Sequence, residues 1–136
     1  MKNNVIETIS LEKNDINDTG FSSFMSILAN NNKSLKSLNI ASNNLYENDF
    51  VAIAEVITNN STLSYLNISQ NSIDSRSANY LGLALKSSKL NTLVMNNVNL
   101  DEESFPLLIK YINDSKLNEL HLDYNNIGDV SIMLVN

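Results

Sequence analysis

Five segments of this chain are spelled alike. Set in register at Ile6, Leu35, Leu63, Leu90 and Leu117, they read IETISLEKNDI, LKSLNIASNNL, LSYLNISQNSI, LNTLVMNNVNL and LNELHLDYNNI, at spacings of 29, 28, 27 and 27 residues. All are versions of LxxLxLxxNxL, with every aliphatic slot filled. A period of this length marks one supersecondary unit per repeat, too small to bury its own apolar face, so the units must stack.

Within each opening the residues alternate as a short strand with one buried face. Ile9, Leu38, Leu66, Leu93 and Leu120 fill the fourth slot; Leu11, Ile40, Ile68, Met95 and Leu122 fill the sixth. The predicted strands centre on residues 8–10, 37–39, 65–67, 92–94 and 119–121. The second half of each unit changes to a period of three and four, as in FSSFMSIL, FVAIAEVI, SANYLGLAL and FPLLIKYI, which predicts a one-sided helix after each of the first four strands. Asp49, Ser77 and Ser104 stand where N-caps are wanted, and Pro106, the only proline, falls in a first turn where its missing N–H does no harm. The Asn at the ninth slot, Asn14, Asn43, Asn71 and Asn125, can satisfy buried backbone groups where the chain turns inward. Unit four has Val98 there, which predicts a gap in the Asn ladder bridged by Asn97, Asn99 or water. The loops that end the helices, NNNKS, NNST, KSSK and NDSK, read as solvated edges.

On these residues the chain resembles leucine-rich-repeat proteins, and its period resembles the ribonuclease-inhibitor-like subclass. Unit one carries Ile16, Gly20, Phe24, Ile27 and Leu28 at the offsets of that longer consensus; unit two carries Leu45, Asp49, Ile53, Ala54, Val56 and Ile57. The resemblance covers residues 5–136 and implies an α/β solenoid with short parallel strands on the concave face and helices on the convex face. The whole chain, 1–136, reads as a single domain with its last repeat truncated. Unit five passes Ile127 and has nine residues left, read either as a stop with a stunted helix or as a piece of a longer array.

Composition removes other classes. With no cysteine there is neither a disulfide framework nor a thiolate site, and the cytosol is the expected address. A net charge of -6 makes nucleic acid and other polyanions poor partners. No stretch reaches the length of a membrane span or a signal peptide. The chain has 25 Asn. They are interleaved with regularly spaced Leu and Ile, which a disordered tract does not need.

The outward strand positions form the candidate site: Ser37 and Asn39, Tyr65 and Asn67, Thr92, Val94 and Asn96, then Glu119, His121 and Asp123, with Tyr124 in the loop beyond. The middle of this face is small and polar and its edges are acidic. Such a face admits another protein closely, and Tyr65 and Tyr124 offer low-entropy aromatic anchors. The His121 ring has carboxylates on either side along its strand, at a separation of about 7 Å, beyond hydrogen-bond reach and without a nucleophile. A lone His with two remote carboxylates is a poor zinc site. Gly20, Gly82 and Gly128 form no phosphate-binding pattern. The helices carry scattered polar residues such as Ser22, Ser26, Glu55, Asn79 and Lys110, which reads as an unengaged surface.

The functional expectation is a non-catalytic, monomeric module, without cofactor or metal and without affinity for nucleic acid or membrane. It binds a protein partner with a basic or donor-rich contact surface through the concave face. The resemblance implies a partner such as an enzyme whose active site is covered, and the chain also resembles the leucine-rich-repeat effectors that intracellular bacterial pathogens deliver into host cytosol. Two alternatives come from the same resemblance: a GTPase-activating-type regulator, although Arg76 is the only arginine and falls near a helix start on the outer side, and a substrate-recognition fragment of a larger protein such as a ubiquitin ligase.

Overall fold

The computed structural model describes residues 3–16 and 19–129, and strands and helices alternate through it. Strands β1 (Thr8–Ser10), β2 (Ser37–Asn39), β3 (Tyr65–Asn67), β4 (Thr92–Val94) and β5 (Glu119–His121) fall where the repeat places them. They form one parallel sheet in chain order, and Ile9, Leu38, Leu66, Leu93 and Leu120 stand in a single row across it. Helices α1 (Thr19–Asn30), α2 (Glu47–Asn59), α3 (Ser75–Leu85) and α4 (Ser104–Ile109) follow the first four strands and pack side by side. The fold is an α/β solenoid. Of the nine residues after Ile127, in which unit five could end, residues 130–136 lie outside the described residues.

The alternation of the openings produces the core directly. Leu38, Leu66 and Leu93 of the fourth slot and Ile40, Ile68 and Met95 of the sixth have no exposed surface, and they join the inner stripes of the helices in one continuous cluster. At the ends, Ile9, Leu11, Leu120 and Leu122 are only partly covered because no further strand flanks them among the described residues.

The helix starts differ from the expected caps. For α3 the cap is Asp74, whose side chain accepts from Ser77 N at 2.7 Å, and for α4 Asp101 accepts from Ser104 N at 2.8 Å. In α2 the N-cap is Tyr46, and Asp49 lies inside the first turn, its carboxylate accepting from Tyr46 N at 3.1 Å. The expected caps thus lie inside their helices: Ser77 and Ser104 donate their backbone N–H to a carboxylate three residues back, Asp49 accepts from Tyr46 N, and Glu103, the residue before α4, makes no side-chain cap bond. Helix α4 spans six residues; Tyr111 leaves helical geometry and a 3-10 turn, Ile112–Asp114, completes the connection. There the Tyr111 ring lies near the Lys86 and Lys110 ammonium groups, at 5.5 and 5.4 Å.

Gly82 sets the approach of α3 to α4. A Cβ at this position would stand 2.5 Å from Leu107 O and 2.7 Å from Leu108 O, so only glycine lets the α4 backbone come this close.

Two amide ladders run through the stack. In the first, Asn43 Oδ1 accepts from Asn14 N and Ile16 N of the preceding repeat, and its Nδ2 donates to Leu11 O, Ile40 O and Ala41 O. Asn71 repeats the pattern one unit on, and Asn125 serves Val98 N and Leu100 N. At Val98 the side chain is fully buried, and one amide of the preceding turn is met by backbone: the Val98 carbonyl accepts from Ile73 N at 2.9 Å. The second ladder lies in the loops read from sequence as solvated. Asn3 Oδ1 accepts from Val5 N and Ile6 N, Asn32 Oδ1 from Ser34 N and Leu35 N, and Asn60 Oδ1 from Thr62 N and Leu63 N. Asn60 also donates to Leu28 O, and Ser88 and Ser115 continue the series with hydroxyls. Asn60 and Ser88 are each 4% exposed, so these two side chains belong to the interior while their neighbours Ser61, Ser87 and Lys89 stay exposed as expected.

Candidate functional site

Parallel pairing lines up the outward residues of successive repeats. One row across the concave face is Thr8, Ser37, Tyr65, Thr92 and Glu119; the next is Ser10, Asn39, Asn67, Val94 and His121. Asn96 and Asp123, the seventh positions of their repeats, lie just past their strands on the outward side of the sequence pattern, and Tyr124 follows in the turn at the rim. The structure thus gathers all the expected site residues on one face and its rim. Strands β3 and β5 are two spacings apart, which separates Tyr65 from the Glu119 and His121 pair by about 10 Å.

Many polar groups on this face already have partners. Asn39 Nδ2 donates to Glu12 Oε2 at 3.2 Å while its Oδ1 accepts from Ala41 N. Asn67 Oδ1 accepts from Ser69 N, and Asn96 Oδ1 accepts from Asp123 N at 2.9 Å. These bonds hold the side chains in one pose. Val94 is 9% exposed and offers a floor more than an anchor, since its neighbours on both strands cover it.

The acidic end differs from the expectation in one respect. His121 Nε2 lies 3.3 Å from Glu119 Oε2, well inside the separation expected from strand spacing, because the two side chains lean together along β5. The pair is exposed, and among the described residues no group of three or more His, Asp or Glu could hold a metal.

Tyr124 is the most informative residue of the site. The eighth position of every repeat takes the left-handed conformation: φ is 59° at Lys13, 56° at Ser42, 55° at Gln70, 51° at Asn97 and 61° at Tyr124. Gly and Asn adopt that conformation readily and aromatic residues do not. Tyr124 nevertheless occupies it, with 90% of its surface exposed, so neither backbone preference nor core packing explains the residue.

The convex face is less uniformly polar than the sequence suggests. Ile27, Val51 and Leu83 point outward from α1, α2 and α3 at 53, 47 and 46% exposure, and a shallow groove runs between α2 and α3 past Tyr80. The alternation of three and four places these residues just outside the buried stripe. Arg76 is exposed on this outer side in an ion pair with Glu47.

Charge is segregated by edge. Among the described residues, the strand-to-helix connections contain Glu12, Asp15, Asp74, Asp101, Glu102, Glu103, Asp123 and Asp129 against Lys13. The helix-to-strand connections, together with the stretch before β1, contain Lys33, Lys36, Lys86, Lys89, Lys110 and Lys116 against Glu7 and Asp114. In a parallel solenoid these two sets of loops occupy opposite edges. No helix among the described residues is long and apolar enough to cross a membrane.

Among solved structures the chain is similar to one titled "Leiomodin-1 Actin-Binding Site 2 (ABS2)", with a TM-score of 0.76 at 19% identity over 86% of this chain and 70% of that one. At that identity the likeness concerns the fold. No curated protein matches the sequence significantly. The leucine-rich-repeat family matches at residues 2–25, 31–45, 59–82 and 113–135, more than half of the chain. With its strands, helices and Asn ladder in the same register, the chain belongs to the leucine-rich-repeat family, a scaffold for protein binding.

Proposed function

We propose that the chain is a single non-catalytic domain that binds one protein partner through its concave face and regulates that partner by covering part of its surface, as a ribonuclease-inhibitor-like protein covers an enzyme. The observation that carries this reading is Tyr124: an exposed aromatic side chain held in a backbone conformation that disfavours it, at the rim of the acidic end of the sheet. The backbone conformation recurs in every repeat, so what sets this position apart is an aromatic side chain placed there and left exposed. Tyr65 supplies a second anchor among small neighbours, and Glu119, His121 and Asp123 favour a basic or donor-rich contact surface. The leiomodin-1 fragment, named for binding actin, supports the use of this fold against a protein surface.

The test is capture of the partner by the intact chain, followed by calorimetric affinity on folded variants. Tyr65→Ala with His121→Ala weakens the complex by about 2 kcal/mol or more, whereas Val51→Ser with Leu83→Ser changes it by less than about 0.5 kcal/mol. Loss of affinity in the helical pair and not in the sheet pair moves the site to the convex face and refutes the reading.

A further inference from the structure

Every junction inside the solenoid is closed by the same backbone bonds, and every junction but the one at Val98 by the same carboxamide. Amides at the sixth and eighth positions of one repeat donate to carbonyls of the next, as Met95 N does to His121 O and Asn97 N to Asp123 O, both at 2.8 Å. In return, the carbonyl at the second position accepts two amides from the next repeat, as Asn91 O does from Asn118 N and Glu119 N. The carboxamide at the ninth position then accepts two amides of the preceding turn, as Asn43 does for Asn14 N and Ile16 N.

The two ends of the described sheet carry the two halves of such a junction. On the β5 edge, Leu122 N, Tyr124 N and Asn118 O occupy the donating and accepting places that a following repeat would meet. On the β1 edge, Ser10 O, Glu12 O, Glu7 N and Thr8 N occupy those of the repeat that would follow. Asn14 is already posed for the ladder: its Nδ2 donates to Glu12 O at 3.0 Å, as Asn43 Nδ2 donates to Ala41 O, which leaves its Oδ1 toward the open end. The apolar surfaces match as well. Leu11, Ile16 and Phe24 line a recess at one end, and Phe105, Leu120 and Leu122 line one at the other.

We propose that the β5 edge of one copy docks on the β1 edge of a second copy, head to tail, extending the parallel sheet across the junction. This contact departs from the monomer expected from sequence and is independent of what the concave face binds. Because it is heterologous and leaves one edge free at each end, it builds open chains and does not stop at a dimer. It also sets Asp123 beside Glu12 of the second copy, the pairing of seventh positions that brings Asn96 Oδ1 to Asp123 N within one chain. That repulsion keeps association weak at low ionic strength, and salt relieves it.

Sedimentation velocity on the full chain over a concentration series, at low salt and at about 1 M salt, reads the proposal. The weight-average mass is expected to climb past dimer as concentration rises, further at high salt. Amide exchange at Leu122, Tyr124 and Thr8 should slow in step. Glu12→Lys turns the repulsion into attraction, so association at low salt strengthens by about tenfold and the salt effect reverses. Thr8→Pro removes an edge donor and obstructs the edge, so association falls by about tenfold with unchanged circular dichroism. If that variant does not fold, Glu12→Lys and the exchange pattern decide. A monomer at every concentration and salt, a species that stops at two, or slowed exchange on the helices and not on the edges overturns the proposal.

Discussion

Asn71 holds up the turn that contains Asn43. Its Oδ1 accepts from Asn43 N and Leu45 N, both at 3.0 Å, and its Nδ2 donates to Ile40 O, Ile68 O and Ser69 O. Both carboxamides are buried, so the bonds have no water to replace them. Asn71→Leu strands several buried backbone groups at once, each worth about 1–3 kcal/mol when unpaired, and is expected to cost about 3 kcal/mol or more. Urea unfolding of the variant measures it.

Leu66 and Leu93 lie side by side in the central row of the sheet with no exposed surface. Replacing either with Ala is expected to cost about 2–5 kcal/mol through transfer and cavity terms. Denaturant titration checks it, and a loss below about 1 kcal/mol at both sites contradicts the core described above.

Gly82→Ala forces a methyl group against the carbonyls of Leu107 and Leu108, which are backbone and cannot swing aside. The expected cost is about 1–3 kcal/mol despite the better helix propensity of Ala. A thermal melt that rises instead shows that α3 and α4 are further apart.

Tyr124→Asn separates fold from function. Asn tolerates the left-handed backbone, so the variant is expected to gain up to about 1 kcal/mol of stability while losing affinity for the captured partner. Parallel melting and affinity measurements on one preparation test the two halves; equal affinity removes Tyr124 from the site.

The caps make stability depend on pH. The Ser77 backbone N–H bonded to Asp74, and the Ser104 backbone N–H bonded to Asp101, hold both carboxyls below the ordinary value of 3.8. A carboxyl depressed in the folded state stabilises above its unfolded pKa, and that stability is lost as pH falls through the lower folded value. The melting temperature is therefore expected to drop on acidification below about pH 4, and less steeply in Asp74→Asn with Asp101→Asn.

The strand centres were legible because each repeat writes the same aliphatic spacing, and a wrong register would expose Leu38, Leu66 and Leu93 together. The helix caps were less legible: Asp74 and Asp101 lie one turn before the residues that mark the apolar period, and cap bonds reach back by three positions. The interior role of Asn60 and Ser88 was hidden by composition, since a run of Asn, Ser and Lys reads as solvent-facing whether or not its backbone is covered. Sorting by repeat position exposes it, because Asn32 and Asn60 make the same two bonds. The Glu119 and His121 contact depends on rotamers, which strand spacing does not specify.

The opposed charges of the two loop edges give the molecule a direction as well as a net charge. Acids on the strand-to-helix edge and lysines on the helix-to-strand edge form a dipole across the sheet, so an approaching charged body exerts a torque on the domain before touching it. For the basic partner proposed above, this edge, and Tyr124 with it, is the one turned forward. Productive encounters then become a larger fraction of all collisions, an advantage that salt erases.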